Sequence, residues 1–275
     1  MGMLKYRLIT AFLLATVFVV ALYALADLPW AIALLLFISI GAWEWGGMVG
    51  FTQRGRILFS TAIILFGLML LPGIASFELF RQWGTFFLIA SSSLFWLLLV
   101  PVWLARCWRL DNHALSALTG VVLLLPPWIA LVELRHVGPE AVLLVILTVA
   151  LADSAAYFSG KRFGRHKLAP NISPGKTWEG LAGGMLTVSL FATVLCLRLQ
   201  WSPWLLVGFL AIVILSVMGD LFESLVKRQA GLKDSGCLLP GHGGVLDRID
   251  GLTSTLPLVA CYICLPFYIE KLLAT

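Results

Sequence analysis

Charge is scarce in this chain. Asp, Glu, Lys and Arg make up 12% of its 275 residues, about half the share of a soluble domain. Apolar residues make up 60%, and mean hydropathy is +0.98. That composition excludes an ordinary soluble domain. The short alternating apolar–polar segments of a membrane barrel are missing, which argues against that architecture. A disulfide framework is missing as well. Of the five cysteines, Cys261 and Cys264 have CxxC spacing, but they lie inside the last apolar run and read as small buried residues rather than a redox or metal pair. There is neither an internal repeat nor an inverted pair of broken spans, and this counts against a transporter.

What is present instead is a series of apolar runs of about 18 residues or more, the length a helix needs to cross roughly 30 Å of hydrocarbon. The expected fold class is all-α: a polytopic integral membrane protein with spans at about 9–26, 29–51, 57–75, 85–105, 114–134, 141–160, 180–199, 204–226 and 252–270, nine in all. The first run ends in Ala24-Leu25-Ala26, which resembles a signal-peptidase site. Its long apolar core and the span that follows at once suit an anchor better. With the N-terminus cytoplasmic, Arg81, Arg135, Arg198 and Lys271 fall outside, and the other 15 of the 19 Lys and Arg residues fall inside. This bias sets the expected topology as N-in and C-out, and it accounts for the net charge of +5 without nucleic acid. Residues 1–140 then form an N-terminal set of about five helices. Residues 141–275 form a catalytic region with two long cytoplasmic loops, at 161–179 and 227–251. Pro126-Pro127 is expected to kink or break the fifth span. Gly180 and Gly184 have the small-xxx-small spacing that permits close helix contact.

The few charges are gathered rather than spread. Gly219 to Asp250 reads GDLFESLVKRQAGLKDSGCLLPGHGGVLDRID, with five acids, four Lys or Arg and one His. Unpaired ions at membrane depth cost several kcal/mol, so this density marks a binding site. Glu44, Asp153, Asp220 and Glu223 all fall near the cytoplasmic ends of their spans and converge on one leaflet. Four carboxylates at one depth repel unless a cation neutralises some of them or their pKa values rise. At about 100° per residue, Asp220, Ser224 and Lys227 share a helix face within about 60°. Arg228, Lys233, His242 and Arg248 follow, interleaved with glycines that include Gly243 and Gly244. Bases supply charge-assisted bonds to phosphate oxygens, and glycines let backbone amides approach them closely. Asp247 and Asp250 add the hard oxygen ligands that Mg²⁺ prefers. Together these residues fit metal-assisted phosphoryl or nucleotidyl transfer.

In the other long loop, Ser173-Pro174-Gly175-Lys176-Thr177 imitates the end of a P-loop. Pro170 stands where that motif needs its first glycine, and no strand is expected before it, so the P-loop is rejected. Lys176 remains a phosphate candidate because it precedes a helix N-terminus. Lys161, Arg162, Arg165 and Lys167 read as topology signals and headgroup contacts.

The run from Ser224 to Asp250, together with ALADSAAYFSGKRFG around Asp153 and the segment SPGKTWEG, resembles the signature of phosphatidate cytidylyltransferases, the CDP-diacylglycerol synthases. The resemblance is detailed from about residue 150 onward. It implies a membrane enzyme that joins CTP and phosphatidic acid to give CDP-diacylglycerol and pyrophosphate, with Mg²⁺ and a candidate second cation, K⁺. It implies Asp220 and Asp247 as metal ligands with Asp153 and Asp250 nearby. Lys227 and Arg248 join Asp220 and Asp247 as catalytic candidates. Lys176, Ser173, Ser224, Arg228, Lys233, His242, Gly243 and Gly244 are the substrate-binding candidates. The expected setting is a bacterial inner membrane with the site facing the cytoplasm, in a monomer or homodimer. A polyprenol or lipid kinase and an ion-coupled carrier remain open at this stage. The DG-xx-AR motif of CDP-alcohol phosphotransferases does not occur.

Overall fold

A computed structural model describes residues 2–71, 78–238 and 243–273. Its elements in chain order are α1 (Gly2–Ala24), α2 (Asp27–Met48), α3 (Gln53–Met69), α4 (Glu78–Leu94), a π-helical turn (Phe95–Leu99), α5 (Val100–Arg106), α6 (His113–Val137) and α7 (Pro139–Phe163). A short hairpin of β1 (Lys167–Ala169) and β2 (Ser173–Thr177) precedes α8 (Trp178–Leu199), α9 (Leu205–Gln229) and α10 (Leu246–Leu273). Among the described residues each expected span overlaps a helix, and residues 72–75 of the third lie outside them. Among the described residues, six helical stretches are long and apolar enough to cross a membrane. Helix is the outcome hydrocarbon enforces, since it satisfies every backbone polar group within one segment.

The distribution of side chains is that of a membrane protein. On α8, Gly180, Gly184, Val188, Ala192 and Cys196 face inward. Leu186, Leu190, Val194 and Leu197, on the other side of the same helix, are 56–69% exposed. In water that stripe would be a severe liability; in lipid it is the solvated face. The chain is an integral, essentially all-α membrane protein, with the two-stranded hairpin as its addition to that class.

Sequence signals at the helix ends do what their chemistry demands. Asn112 caps α6 by accepting from the amides of Ala114 and Leu115 at 2.8 and 3.2 Å, and Thr177 caps α8 by accepting from the Gly180 amide at 3.1 Å. The π turn sits just before Pro101, whose ring has no donor for the carbonyl of Leu97 and would crowd it in a regular helix.

Of the expected kink or break at Pro126-Pro127, the break does not occur: α6 is continuous helix through both prolines, which are buried. A proline at 126 deprives the Val122 carbonyl of its helical donor. The Ser92 hydroxyl supplies one instead, at 3.1 Å. A neighbouring helix thus satisfies the orphaned group, as membrane bundles commonly arrange.

Two close helix crossings place the site. Where α8 meets α7, a Cβ on Gly180 would lie 2.8 Å from the Ala156 carbonyl, and one on Gly184 would lie 3.0 Å from that of Ala152. The small-xxx-small spacing therefore does set the α7–α8 contact. Where α9 meets α10, a Cβ on Gly219 would collide with the Asp250 carbonyl and come within 2.7 Å of the Ser254 hydroxyl. Both crossings lie beside the clustered acids. An aromatic cluster steadies α9 from behind, with the Phe222 ring edge-on to Phe95, Trp96 and Trp103 at 5.8, 5.7 and 5.5 Å. Such pairs contribute about 0.5–1.5 kcal/mol each beyond area burial.

Candidate active site

The hairpin, α7, the start of α8, the end of α9 and the start of α10 enclose a cavity of about 790 Å³. Its wall carries Asp153, Asp220, Asp234, Asp247 and Asp250 against Lys161, Lys167, Lys176, Lys227 and Arg248, with Ser173 and Gly175 on the hairpin side. Residues more than 90 positions apart thus meet in one chamber of mixed charge.

Two lysine–aspartate pairs organise it. Lys176 reaches from β2 to Asp220 on α9, with Nζ 2.6 Å from Oδ2. Ser224, one turn further along α9, donates to Asp220 Oδ1 at 3.2 Å. Lys227 donates to Asp247 Oδ1 at 2.6 Å and lies 3.1 Å from Glu223 Oε1 on its own helix. The other oxygen of Asp247 accepts from the amides of Ser235 and Gly244 at 2.8 Å each and from the Ser235 hydroxyl at 3.0 Å. Asp247 lies ahead of the 252–270 apolar stretch. Burial alone would raise its pKa, but the Lys227 ammonium and these two backbone amides outweigh burial and hold it below the ordinary carboxylate value. Asp250 accepts from the Gly251 amide at 2.7 Å.

The loop that presents Asp247 is fastened from the far half of the chain. Glu44, on α2 and 2% exposed, accepts from the amides of Val245 and Leu246 and from the Ser235 hydroxyl, each at 3.0 Å. That hydroxyl is equally close to Asp247 Oδ2, so Glu44 and Asp247 share its single proton. Glycine is required around these contacts. Gly243 has φ +80°, and a Cβ there would stand 2.7 Å from Asp247 Oδ2. A Cβ on Gly244 would stand 2.5 Å from Glu44 Oε2.

The structure thus brings Asp153, Ser173, Lys176, Asp220, Lys227, Asp247, Arg248 and Asp250 onto one wall. Ser224 stands behind Asp220. Gly243 and Gly244 shape the loop. Arg228 and Lys233 are exposed and off the cavity wall, and Arg228 Nη1 donates to the Leu232 carbonyl at 3.2 Å, closing the turn after α9. His242 lies outside the described residues. Lys161 and Lys167, read from sequence as topology signals, line the cavity. Glu44 was legible as an intramembrane acid; its task as the loop anchor was not, because its partners are two backbone amides and a serine about 190–200 positions away.

Among the described residues, no three His, Cys, Asp or Glu side chains stand close enough to hold a metal ion by themselves. The donor set nonetheless suits Mg²⁺. That ion usually takes one or two carboxylates, keeps waters and completes its shell with substrate phosphates, and Asp220 and Asp247 offer carboxylates on the wall of a chamber that also holds four lysines and an arginine.

Comparison with known proteins places the chain among relatives. The chain is 38% identical over 268 residues to the phosphatidate cytidylyltransferase of Pseudomonas aeruginosa, covering 94% of this chain and 96% of that protein. It is 36% identical over 282 residues to the phosphatidate cytidylyltransferase of Haemophilus influenzae, covering 93% and 96%. A phosphatidate cytidylyltransferase of Staphylococcus aureus is 46% identical over 131 residues, about half of each chain. The model of the Cytidylyltransferase family matches residues 5–265, from the first helix through the cavity to the last. The chamber and the helices that support it are covered by a single match, and the chain belongs to the cytidylyltransferase family.

Proposed function

We propose that this membrane enzyme transfers the cytidylyl group of CTP to phosphatidic acid, yielding CDP-diacylglycerol and pyrophosphate. One observation carries the reading. Acids and bases from α7, α9, α10 and the hairpin meet in a single chamber at the ends of membrane helices, where a soluble triphosphate and a lipid headgroup can be held together.

In this mechanism an oxygen of the lipid phosphate attacks the α-phosphorus of CTP in line. The new P–O bond forms as the bond from the α-phosphorus to the α–β bridging oxygen breaks, and pyrophosphate leaves with the electron pair. Lys176, Lys227 and Arg248 hold phosphate oxygens and stabilise the charge moving onto the leaving group. Lys161 and Lys167, also on the wall, raise the local positive potential at the chamber. Asp220 and Asp247 would hold Mg²⁺, with Asp153 and Asp250 beside them. Bound there with the triphosphate, the ion supplies Lewis-acid stabilisation of phosphoryl oxygens. A protein nucleophile is not required. A general base is not required either, because a phosphate monoester, with a second pKa of about 6, is already ionised at neutral pH.

The topology that fits this chemistry has nine spans with the N-terminus inside and the C-terminus outside, in a bacterial inner membrane. What supports it is that the ends of α7 and α9 and the starts of α8 and α10 all face the chamber, as alternating spans require, on the side with most Lys and Arg. Residues 141–275 carry the chemistry and the N-terminal helices hold it in register. The test is purified protein in detergent with phosphatidic acid, Mg²⁺ and each of the four nucleoside triphosphates, followed by pyrophosphate release. Release with CTP alone is expected. No pyrophosphate with any nucleotide, but ADP and a phosphorylated lipid product with ATP, would assign a kinase instead.

A further inference from the structure

Beside the charged chamber lies a second hollow of different character. It encloses about 420 Å³ and is walled by the end of α5 (Leu104, Ala105, Cys107), the hairpin from Leu168 to Ile172, Leu181 on α8 and one side of α9. Apart from Asn171, the cysteine thiol and the Met218 thioether, its side chains are hydrocarbon. Three residues, Leu168, Leu181 and Val217, line both hollows, so they adjoin through a shared wall.

The helix α9 shows how the change of character is built. Val217, Asp220 and Lys227 lie on the charged side. Ile214, Met218 and Leu221, at spacings of four and three, form the neighbouring stripe and face the apolar hollow. The strand β1 makes the same transition over three residues: Lys167 lines the chamber, Leu168 both hollows and Ala169 the apolar one. The far wall is fixed by Gln229, whose side-chain amide donates to the carbonyls of Cys107 and Trp108 at 3.3 and 2.8 Å. Exposed aromatic residues at the same ends of α7 and α8, Phe163 and Trp178, are the kind that sit at the headgroup level of a bilayer.

A site for a lipid phosphate needs two environments in contact, one for the anion and one for the chains. From this continuity we propose that the apolar hollow is the subsite for one acyl chain of the lipid substrate, the other chain remaining in the bilayer. The proposal rests on the cytidylyltransferase reading and extends it to chain recognition. The phosphate lies in the charged chamber. One chain passes Val217 and Leu181 and runs beneath the hairpin, against Ile214, Met218 and Leu221. Hairpin and chain support one another, since Pro170, Asn171 and Ile172 roof the hollow.

Among the exposed side chains on its rim, Ala105 and Ile214 can be enlarged without disturbing the core. In Ala105→Trp and Ile214→Trp, the apparent KM for dioleoyl phosphatidate is expected to rise about tenfold, the equivalent of losing roughly two buried methylenes. The KM values for dihexanoyl phosphatidate and for CTP are expected to change less than about twofold on the same scale. Equal losses for both lipids, or none for either, overturn the subsite. A shift in oligomeric state, with kinetics indifferent to chain length, would show the hollow to be a contact between copies and overturn it too. A second measurement is independent of these substitutions: in a variant whose sole cysteine is Cys107, maleimide labelling should slow with dioleoyl phosphatidate and be unaffected by the dihexanoyl lipid or by CTP. Unprotected labelling also overturns the proposal. If the parent protein releases no pyrophosphate with either lipid, the cytidylyltransferase reading itself fails, an outcome distinct from activity without chain discrimination.

Discussion

Two ammonium–carboxylate pairs stand in the same chamber at the same separation, 2.6 Å, in opposite surroundings. Lys176 and Asp220 are 21% and 36% exposed, and the lysine is carried on a short hairpin. Lys227 and Asp247 are 10% and 6% exposed, and Glu223 and a ring of backbone donors complete the network. An exposed pair of this kind contributes about 0–1 kcal/mol to stability because water and salt screen it. Breaking a buried pair by removing one partner costs about 3–5 kcal/mol because the other charge is left stranded. Equal geometry therefore implies unequal duties. The Lys176 pair can exchange its partner for a phosphate at little cost, whereas Lys227 stays bound to Asp247 and Glu223 and offers a phosphate only its remaining N–H.

That contrast can be tested most severely by removing the carboxylates. Asp220→Ala and Asp247→Ala should both abolish cytidylyl transfer, a loss of about a thousandfold or more on the scale of a lost preorganised charge. Only Asp247→Ala should also lower the unfolding midpoint in detergent markedly, and full activity in either variant would remove it from the machinery. Next in size, Lys227→Met should destabilise the protein by about 3–5 kcal/mol, measured by thermal unfolding, by stranding Glu223 and Asp247 together. Lys176→Ala should leave that midpoint within about 1 kcal/mol of the parent while raising the apparent requirement for CTP or phosphatidate. Constants unchanged in Lys176→Ala would return that lysine to a topological role.

Glu44→Ala sharpens the comparison from outside the chamber. It leaves the Val245 and Leu246 amides without their acceptor, at about 1–3 kcal/mol for each buried donor left unmet, while the Ser235 hydroxyl keeps Asp247. Activity should fall through kcat because the loop that presents Asp247 loses its anchor, and Glu44→Gln, which keeps one acceptor oxygen, should recover part of it. Unaltered kcat in Glu44→Ala would detach α2 from the site. The smallest effect expected is in topology mapping. A single cysteine placed between residues 231 and 238 should label only from the cytoplasmic side, and periplasmic labelling would invert the proposed orientation.

The membrane architecture was legible because it rests on local quantities. Run length and hydropathy define a span without reference to any other part of the chain. The signature from Ser224 to Asp250 was legible for the same reason, being contiguous. The hairpin was not: Lys167–Ala169 and Ser173–Thr177 are short, Pro170 follows the first and Pro174 lies within the second, so neither shows a strand period. The unbroken α6 was hidden too, because the donor that rescues the Val122 carbonyl belongs to Ser92 on another helix.

What the sequence by itself determined was a helical membrane protein with its scarce charges saved for one place and one chemistry. The tertiary structure alone decided how those charges are used. Whether Lys176 meets Asp220 and Lys227 meets Asp247, and whether Glu44 ties the loop, depend on distances across helices, and such distances arise only once glycines at the α7–α8 and α9–α10 crossings let the backbones approach. Hydrophobicity sums along a chain, but an ion pair exists only at a separation of a few ångströms that no linear pattern encodes.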